Sequence, residues 1–281
     1  MKGRTTLRWG LVLFGGGIAA VALRRRQLER ETAGRIEALR SAATARRSDY
    51  QVGDVAALPA PVRRYFEAVL EEGQPPVHTV KLDQRGEFRL GGRDGAWKPM
   101  TATQQFTTEP PGFVWDADIA VFPRVPVRVV DAYEFGRGSL RAMLLSTLSV
   151  AEAGPSPAMN ESELQRYLGE AVWFPTALLP GGDVAWDAID DQSARATIED
   201  RGNEASLVFH FDDDGLVNRV TTRERYRQES DSVAPWTGYF EDYECHGGMR
   251  IPTRAAVEWN LPDGDFPYWR ARVTSVKHHY P

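Results

Sequence analysis

The chain has a single cysteine, Cys245, in 281 residues. One thiol excludes an intrachain disulfide and a four-cysteine zinc site. The five histidines, His78, His210, His246, His278 and His279, contain no His-x-x-x-His pair. His278 and His279 are adjacent, so on a strand they point to opposite faces. No metal and no cofactor is expected from this set. The Gly-x-Ser-x-Gly elbow of serine hydrolases is missing too: "GRGSLRA" puts Ser139 after a glycine but lacks the second one. No glycine-rich phosphate loop occurs, and "GGG" at residues 15–17 sits in an apolar leader. "DDDG", Asp212 to Gly215, fails as a calcium loop, because the fifth position is Leu216 and the twelfth is Arg223. It reads as a hairpin turn. With no catalytic motif present, a non-enzymatic protein is expected.

What is present is an uneven charge. Residues 1–47 carry 11 Lys and Arg against three Glu, a net of +8, and the rest carries 23 against 36, a net of −13. The acidic body argues against nucleic-acid binding, and the basic leader suits an anionic membrane surface. Trp9 to Leu23 is free of charge, with Leu7 just beyond Arg8. As a helix, residues 7–23 reach roughly 26 Å at about 1.5 Å per residue, against a hydrocarbon core of about 30 Å. Arg24-Arg25-Arg26 is a poor cleavage neighbourhood, so an uncleaved anchor is favoured over a signal peptide. No cysteine follows the run to take a lipid. The sequence thus predicts a single-pass N-terminal membrane anchor over 1–26 and a polar helical stalk over 27–54. A single domain follows over 55–281. Basic residues flank both ends of the anchor, so the positive-inside rule assigns the domain no side.

The body opens on a helix. In "LPAPVRRYFEAVLEEG", Val62, Tyr65, Phe66, Val69 and Leu70 form one apolar stripe, entered by Pro59 and Pro61 and left at Gly73. A second helix is predicted in "NESELQRYLGEAVWFP", with Asn160 as cap, Glu163 as the capping-box acid, and Pro175 at its end. Elsewhere period-two patterns dominate: "TVKLDQRGEFRL", "FVWDADIAVF", "VRVVDAYEF", "SLRAMLLSTLSV", then seven more segments to the C-terminus. Short turn sequences such as "DDQS", "DRGN" and "PDGD" join them, which means antiparallel pairing. No βαβ alternation appears, so a parallel nucleotide-binding sheet is not expected.

The phrases "LPAPVRRYF", "FTTEPPGFVWDADI", "ELQRYLGEAVWFPTALLP" and "FPYWRARVTSV" resemble a family of uncharacterised bacterial proteins that forms a domain of unknown function. The likeness covers about Leu58 to Val276. In topology the chain is similar to the lipoprotein-carrier fold of LolA and LolB. That resemblance implies an α+β fold: a large curved antiparallel sheet, an incomplete barrel, with helices against its concave face. It also implies a hydrophobic cradle and no catalytic residue.

Five residues stand out as candidate ligand contacts. Asp131 lies among Val127, Val129, Tyr133 and Phe135 on an apolar face. A buried acid must be paired or change its pKa. It is either a polar contact in a ligand cavity or half of a structural ion pair, with Arg219, Arg223 or Arg225 as partner, unless a bulge turns it outward. Trp115, Trp173, Trp186 and Trp259 fall on or beside inward faces, as core or as cavity lining. Three functions follow. The first is a membrane-anchored, non-enzymatic carrier of an apolar ligand such as a lipid or lipoprotein. The second is an interaction module with a filled core. The third is an enzyme with an acidic cleft around Asp131.

Overall fold

The computed structural model describes residues 3–44, 48–122 and 125–281, with side chains from residue 21 onward except 122. Among the described residues thirteen strands form one sheet: β1 Thr79–Arg89, β2 Trp97–Thr108, β3 Pro111–Phe122, β4 Val125–Glu134, β5 Arg137–Leu144, β6 Leu148–Ala153, β7 Val184–Asp190, β8 Ser193–Asp200, β9 Asn203–Phe211, β10 Val217–Arg227, β11 Ser232–His246, β12 Met249–Leu261 and β13 Gly264–His279. Their order is β6-β5-β4-β3-β2-β1-β13-β12-β11-β10-β9-β8-β7, antiparallel throughout. Every pair but one joins strands adjacent in sequence, and β1 with β13 is the exception. The chain therefore meanders from the sheet centre to one edge, crosses to the other edge, and meanders back.

The crossing segment holds helix α3, Pro157–Glu170, followed by two short 3-10 turns, Ala171–Trp173 and Pro175–Leu178. Because β6 and β7 are opposite edges, α3 must traverse the concave face, and it packs on β4, β5, β9 and β10. Curvature brings the two halves together: the Tyr133 hydroxyl at the end of β4 donates to Asp200 at the end of β8 (2.8 Å), and Asn203 Nδ2 donates to the Gly136 carbonyl (2.9 Å). At Gly138 the helix comes so close that a Cβ would sit 2.6 Å from the Met159 carbonyl oxygen, so only glycine fits. Helix α2, Ala60–Val69, buries Val62, Tyr65, Phe66 and Val69 as its spacing predicts.

The cap of α3 differs from the expectation. Ser156, not Asn160, is the N-cap, and its Oγ accepts from the Met159 amide (3.1 Å). Asn160 lies one turn in and accepts from the Gly138 amide (2.8 Å). Glu163 is buried in the interior instead of closing a capping box. "DDDG" is a turn between β9 and β10, where the Asp212 carboxylate accepts from the amides of Asp214 and Leu216.

Helix α1, Gly3–Ala42, is continuous through residue 26. Among the described residues no helix is long and apolar enough to cross a membrane, which overturns the single-pass anchor and the membrane contact through residues 7–23. The uncharged run is short and runs straight into Arg24-Arg25-Arg26, and most of the helix beyond it is polar. The side chains of 7–20 lie outside the described residues. The second half of α1 has a narrow stripe, Leu28, Thr32, Ile36 and Leu39, at helical spacing. Leu39 and Ile36 pack with Val114, Ala132 and Val130, which alternation places on the sheet face opposite Phe113, Trp115 and Tyr133. Helices α2 and α3 thus fill the inside, and α1 straps the outside.

Candidate functional site

Two groups of side chains on the inner face go beyond apolar packing. The first centres on Arg166 of α3. Its Nη1 donates to Asp131 Oδ2 (2.5 Å) and its Nε to Glu170 Oε1 (2.9 Å). The guanidinium carbon lies 5.0 Å from the Phe113 ring and 4.9 Å from the Trp115 ring. Glu170 Oε2 accepts from Gln104 Nε2 (2.6 Å), and Trp115 Nε1 donates to Gln84 Oε1 (2.9 Å). Glu163 is buried nearby, one of its oxygens unpartnered, as is Asp131 Oδ1. Arg225 of β10 donates to the Ser162 carbonyl (2.9 Å) and lies over the Trp236 ring (4.8 Å).

Three carboxylates face two guanidiniums here, inside a low-dielectric interior. Burial, reinforced by the Asp131 charge, drives the Glu163 carboxyl well above the ordinary carboxylate range, against the pull of Arg225 and Arg166. Burial also raises Glu170, although Arg166 opposes it. For Arg166 burial works against the cation, but Glu170, Asp131 and Glu163 outweigh it and hold the pKa above the ordinary value. With Glu163 protonated the cluster is neutral, two charges of each sign.

The second group is a row across β11, β12 and β13. Trp236 pairs in register with Trp259, and Trp259 with Phe266. Tyr268 stacks on Trp259 (5.9 Å, 18°) and accepts from Trp236 Nε1 (3.0 Å). Phe88 of β1 meets Tyr268 edge-on at 5.9 Å. Arg227 lies 5.8 Å from the Trp259 ring and 5.9 Å from Phe266. Tyr268, Phe88, Val257 and Leu261 are only half-buried, so the row grades into a rim. Burial raises the Tyr268 pKa, while Arg225 and then Arg166 act on it in the other direction; the two groups are neighbours.

The five predicted residues divide among four places. Trp115 and Asp131 are cross-strand partners and meet at Arg166. Asp131 does face inward, but its partner comes from α3, not from Arg219, Arg223 or Arg225 on β10. A helix laid over the sheet reaches that position, and Arg225 is engaged with Ser162 and Trp236. Trp259 belongs to the aromatic row. Trp173 and Trp186 sit elsewhere: Trp173 donates to the Pro252 carbonyl (3.1 Å) among Phe106 and Phe240, and Trp186 to the Leu178 carbonyl (3.0 Å) against Phe209. Sequence reasoning missed Arg166, Arg227, Trp236 and Tyr268. One signal was available. Glu163, Arg166 and Glu170 recur at i, i+3 and i+7, next to the apolar stripe of α3.

Residues 56–278 match DUF6920, a family of unknown function, and the chain belongs to it. No curated protein matches the sequence. Among solved structures the chain is similar to a LolA superfamily protein from Nitrosomonas europaea, at 15% identity and a TM-score of 0.41, over 80% of this chain and 96% of that one. It is also similar to a β-barrel-like protein of the DUF1849 domain of unknown function from Brucella abortus, at 8% identity and a TM-score of 0.29, over 73% and 99%. The family is the one that the sequence phrases resembled, and the LolA likeness is the one that the strand topology suggested.

Proposed function

We propose that this member of DUF6920 is a non-enzymatic binding module that takes an apolar ligand with an anionic end at the aromatic row of its concave face. The observation that carries the reading is the row Trp236, Trp259, Phe266 and Tyr268, with Arg225 and Arg227 laid over its rings. Aromatic rings offer large apolar area at low entropy cost, and the half-buried rim gives a ligand chain a way in. Arg227, whose ion-pair partner at 3.5 Å is the well-exposed Glu229, supplies the counter-charge for an acidic head group. Trp259 is the direct contact among the five candidates, and Trp115 and Asp131 line the polar floor next to it. Trp173 and Trp186 hold the core. The binding unit is residues 55–281, with α1 across its outer face. Asp131 is held by Arg166, with its side chain only 9% exposed, and so the acidic-cleft enzyme loses its leading acid.

A second reading, an interaction module with a filled core, is favoured by Phe106, whose ring packs on Phe113, Tyr167, Trp173 and Phe174 at 4.8–6.4 Å. Native mass spectrometry of the full chain, gently purified and then titrated with oleate, separates the two. Extra mass that extracts into organic solvent, or saturable oleate binding weakened about tenfold or more by Trp259→Ala, supports the carrier reading. A bare chain that stays bare in oleate rejects it and leaves the interaction module.

A further inference from the structure

The outer face holds a cleft of about 500 Å³ between β1 and the strap helix α1. Two cross-strand rows build it. Arg85, Thr101, Asp118 and Arg128 lie in register over β1 to β4, and Asp83, Thr103 and Asp116 lie beside them. Arg25 and Glu29 of α1 form the opposite wall. The floor is therefore threonine hydroxyls, and the walls carry both signs of charge.

Part of this polar capacity is used. Arg128 donates Nε and Nη2 to the two oxygens of Asp116 (2.8 and 2.6 Å). Arg25 donates to Glu29 (3.0 Å), and Thr103 Oγ1 to Asp83 (2.8 Å). Part is not. The Arg128 side chain is 8% exposed, and its Nη1 is buried without a partner. Asp118 has Arg25 only at 3.7 Å. Burial raises its pKa, with Asp116 and Glu29 adding to the rise and Arg25 and Arg128 opposing it. An acceptor at the cleft wall, Asp118, and the guanidinium of its cross-strand neighbour Arg128 are thus both under-used.

That combination selects a ligand class. An anion would meet Asp83, Asp116, Asp118 and Glu29. A cation would meet Arg25, Arg85 and Arg128. A neutral hydroxyl donates to a carboxylate and accepts from a guanidinium at one atom, and adds no charge. Strand rows about 4.8 Å apart present such groups at a spacing that a ring of hydroxyls can bridge. The volume lies in the range of small-molecule sites. We propose that this outer cleft binds a small neutral polyhydroxylated ligand, a sugar or polyol. It is independent of the concave-face row.

The test is saturation-transfer NMR and calorimetry on the full chain with glucose, galactose, maltose, trehalose and glycerol, beside ethanolamine and succinate as charged probes. The expected result is saturable binding of at least one neutral probe. Asp118→Asn and Thr101→Val should each weaken it, Asp118→Asn by about tenfold or more. Both positions reach solvent, so both variants should fold. Trp259→Ala should leave this binding unchanged while weakening that of oleate. Saturation by ethanolamine or succinate alone, no saturable neutral binding, or binding indifferent to both outer-face substitutions overturns the proposal.

Discussion

Strands β3 and β4 put an aspartate into an arginine ion pair on both faces, Asp131 with Arg166 of α3 inside and Asp116 with Arg128 outside, and these two pairs live differently. Inside, Asp131 meets Arg166 with side chains 9% and 16% exposed, between two aromatic rings and beside two further carboxylates. Outside, Asp116 meets Arg128 with 28% and 8% exposed, next to a cleft and a helix that can admit water. The chemistry of the pair is the same, but the dielectric and the surplus charge are not. The inner pair fixes the helix α3 onto the sheet. The outer pair is a polar bracket on a face that stays partly wet.

The comparison breaks most readily at Arg166. Arg166→Met leaves Asp131, Glu170 and Glu163 without their shared cation, and should cost about 3–5 kcal/mol in urea unfolding. Arg128→Met should cost about 1–2 kcal/mol, between the values for buried and surface pairs, because Asp116 regains solvent. Equal losses from the two would show that both faces are equally dry. Glu163→Gln, which keeps the shape and removes the surplus acid, should act in the opposite direction. Glu163 and Glu170 have folded pKa values raised above their unfolded ones, so the folded state holds protons more tightly. Stability from these groups is complete below the unfolded value of about 4.3 and declines as pH rises toward the folded values. Glu163→Gln should match the parent near pH 4 and exceed it increasingly at higher pH. A parallel pair of stability–pH curves would remove Glu163 from the charge balance.

Much of the sheet was legible because its strands alternate cleanly: β3 shows Phe113, Trp115, Ala117 and Ile119 against Asp116 and Asp118. Strand β2 escaped. Its inner face reads Met100, Ala102, Gln104, Phe106, and the buried Gln104 hides the period. "SLRAMLLSTLSV" reads as one strand but is β5 and β6, split where Leu145 and Ser146 adopt positive φ of 50° and 58° that no glycine announces. The site was half legible. Asp131 on an apolar face signalled a buried acid, but its partner depends on where α3 crosses the sheet. That crossing is a consequence of strand order, which short turns alone do not reveal. Glu163 looked like a cap because spacing within a helix is local, whereas burial is not.

The non-sequential seam, β1 against β13, has a consequence for how the molecule is made. Its partners are far apart along the chain, as with Glu87 and Arg270 at a separation of 183 residues. While the polypeptide emerges from the ribosome, β1 to β6 can fold as a meander, but β1 keeps an open edge of backbone donors until β13 has been synthesised. Such distant pairing makes folding slow and leaves that edge available to other nascent chains. Expression at low translation rate should therefore lengthen the exposure, and a chaperone that covers free strand edges should matter most in that interval.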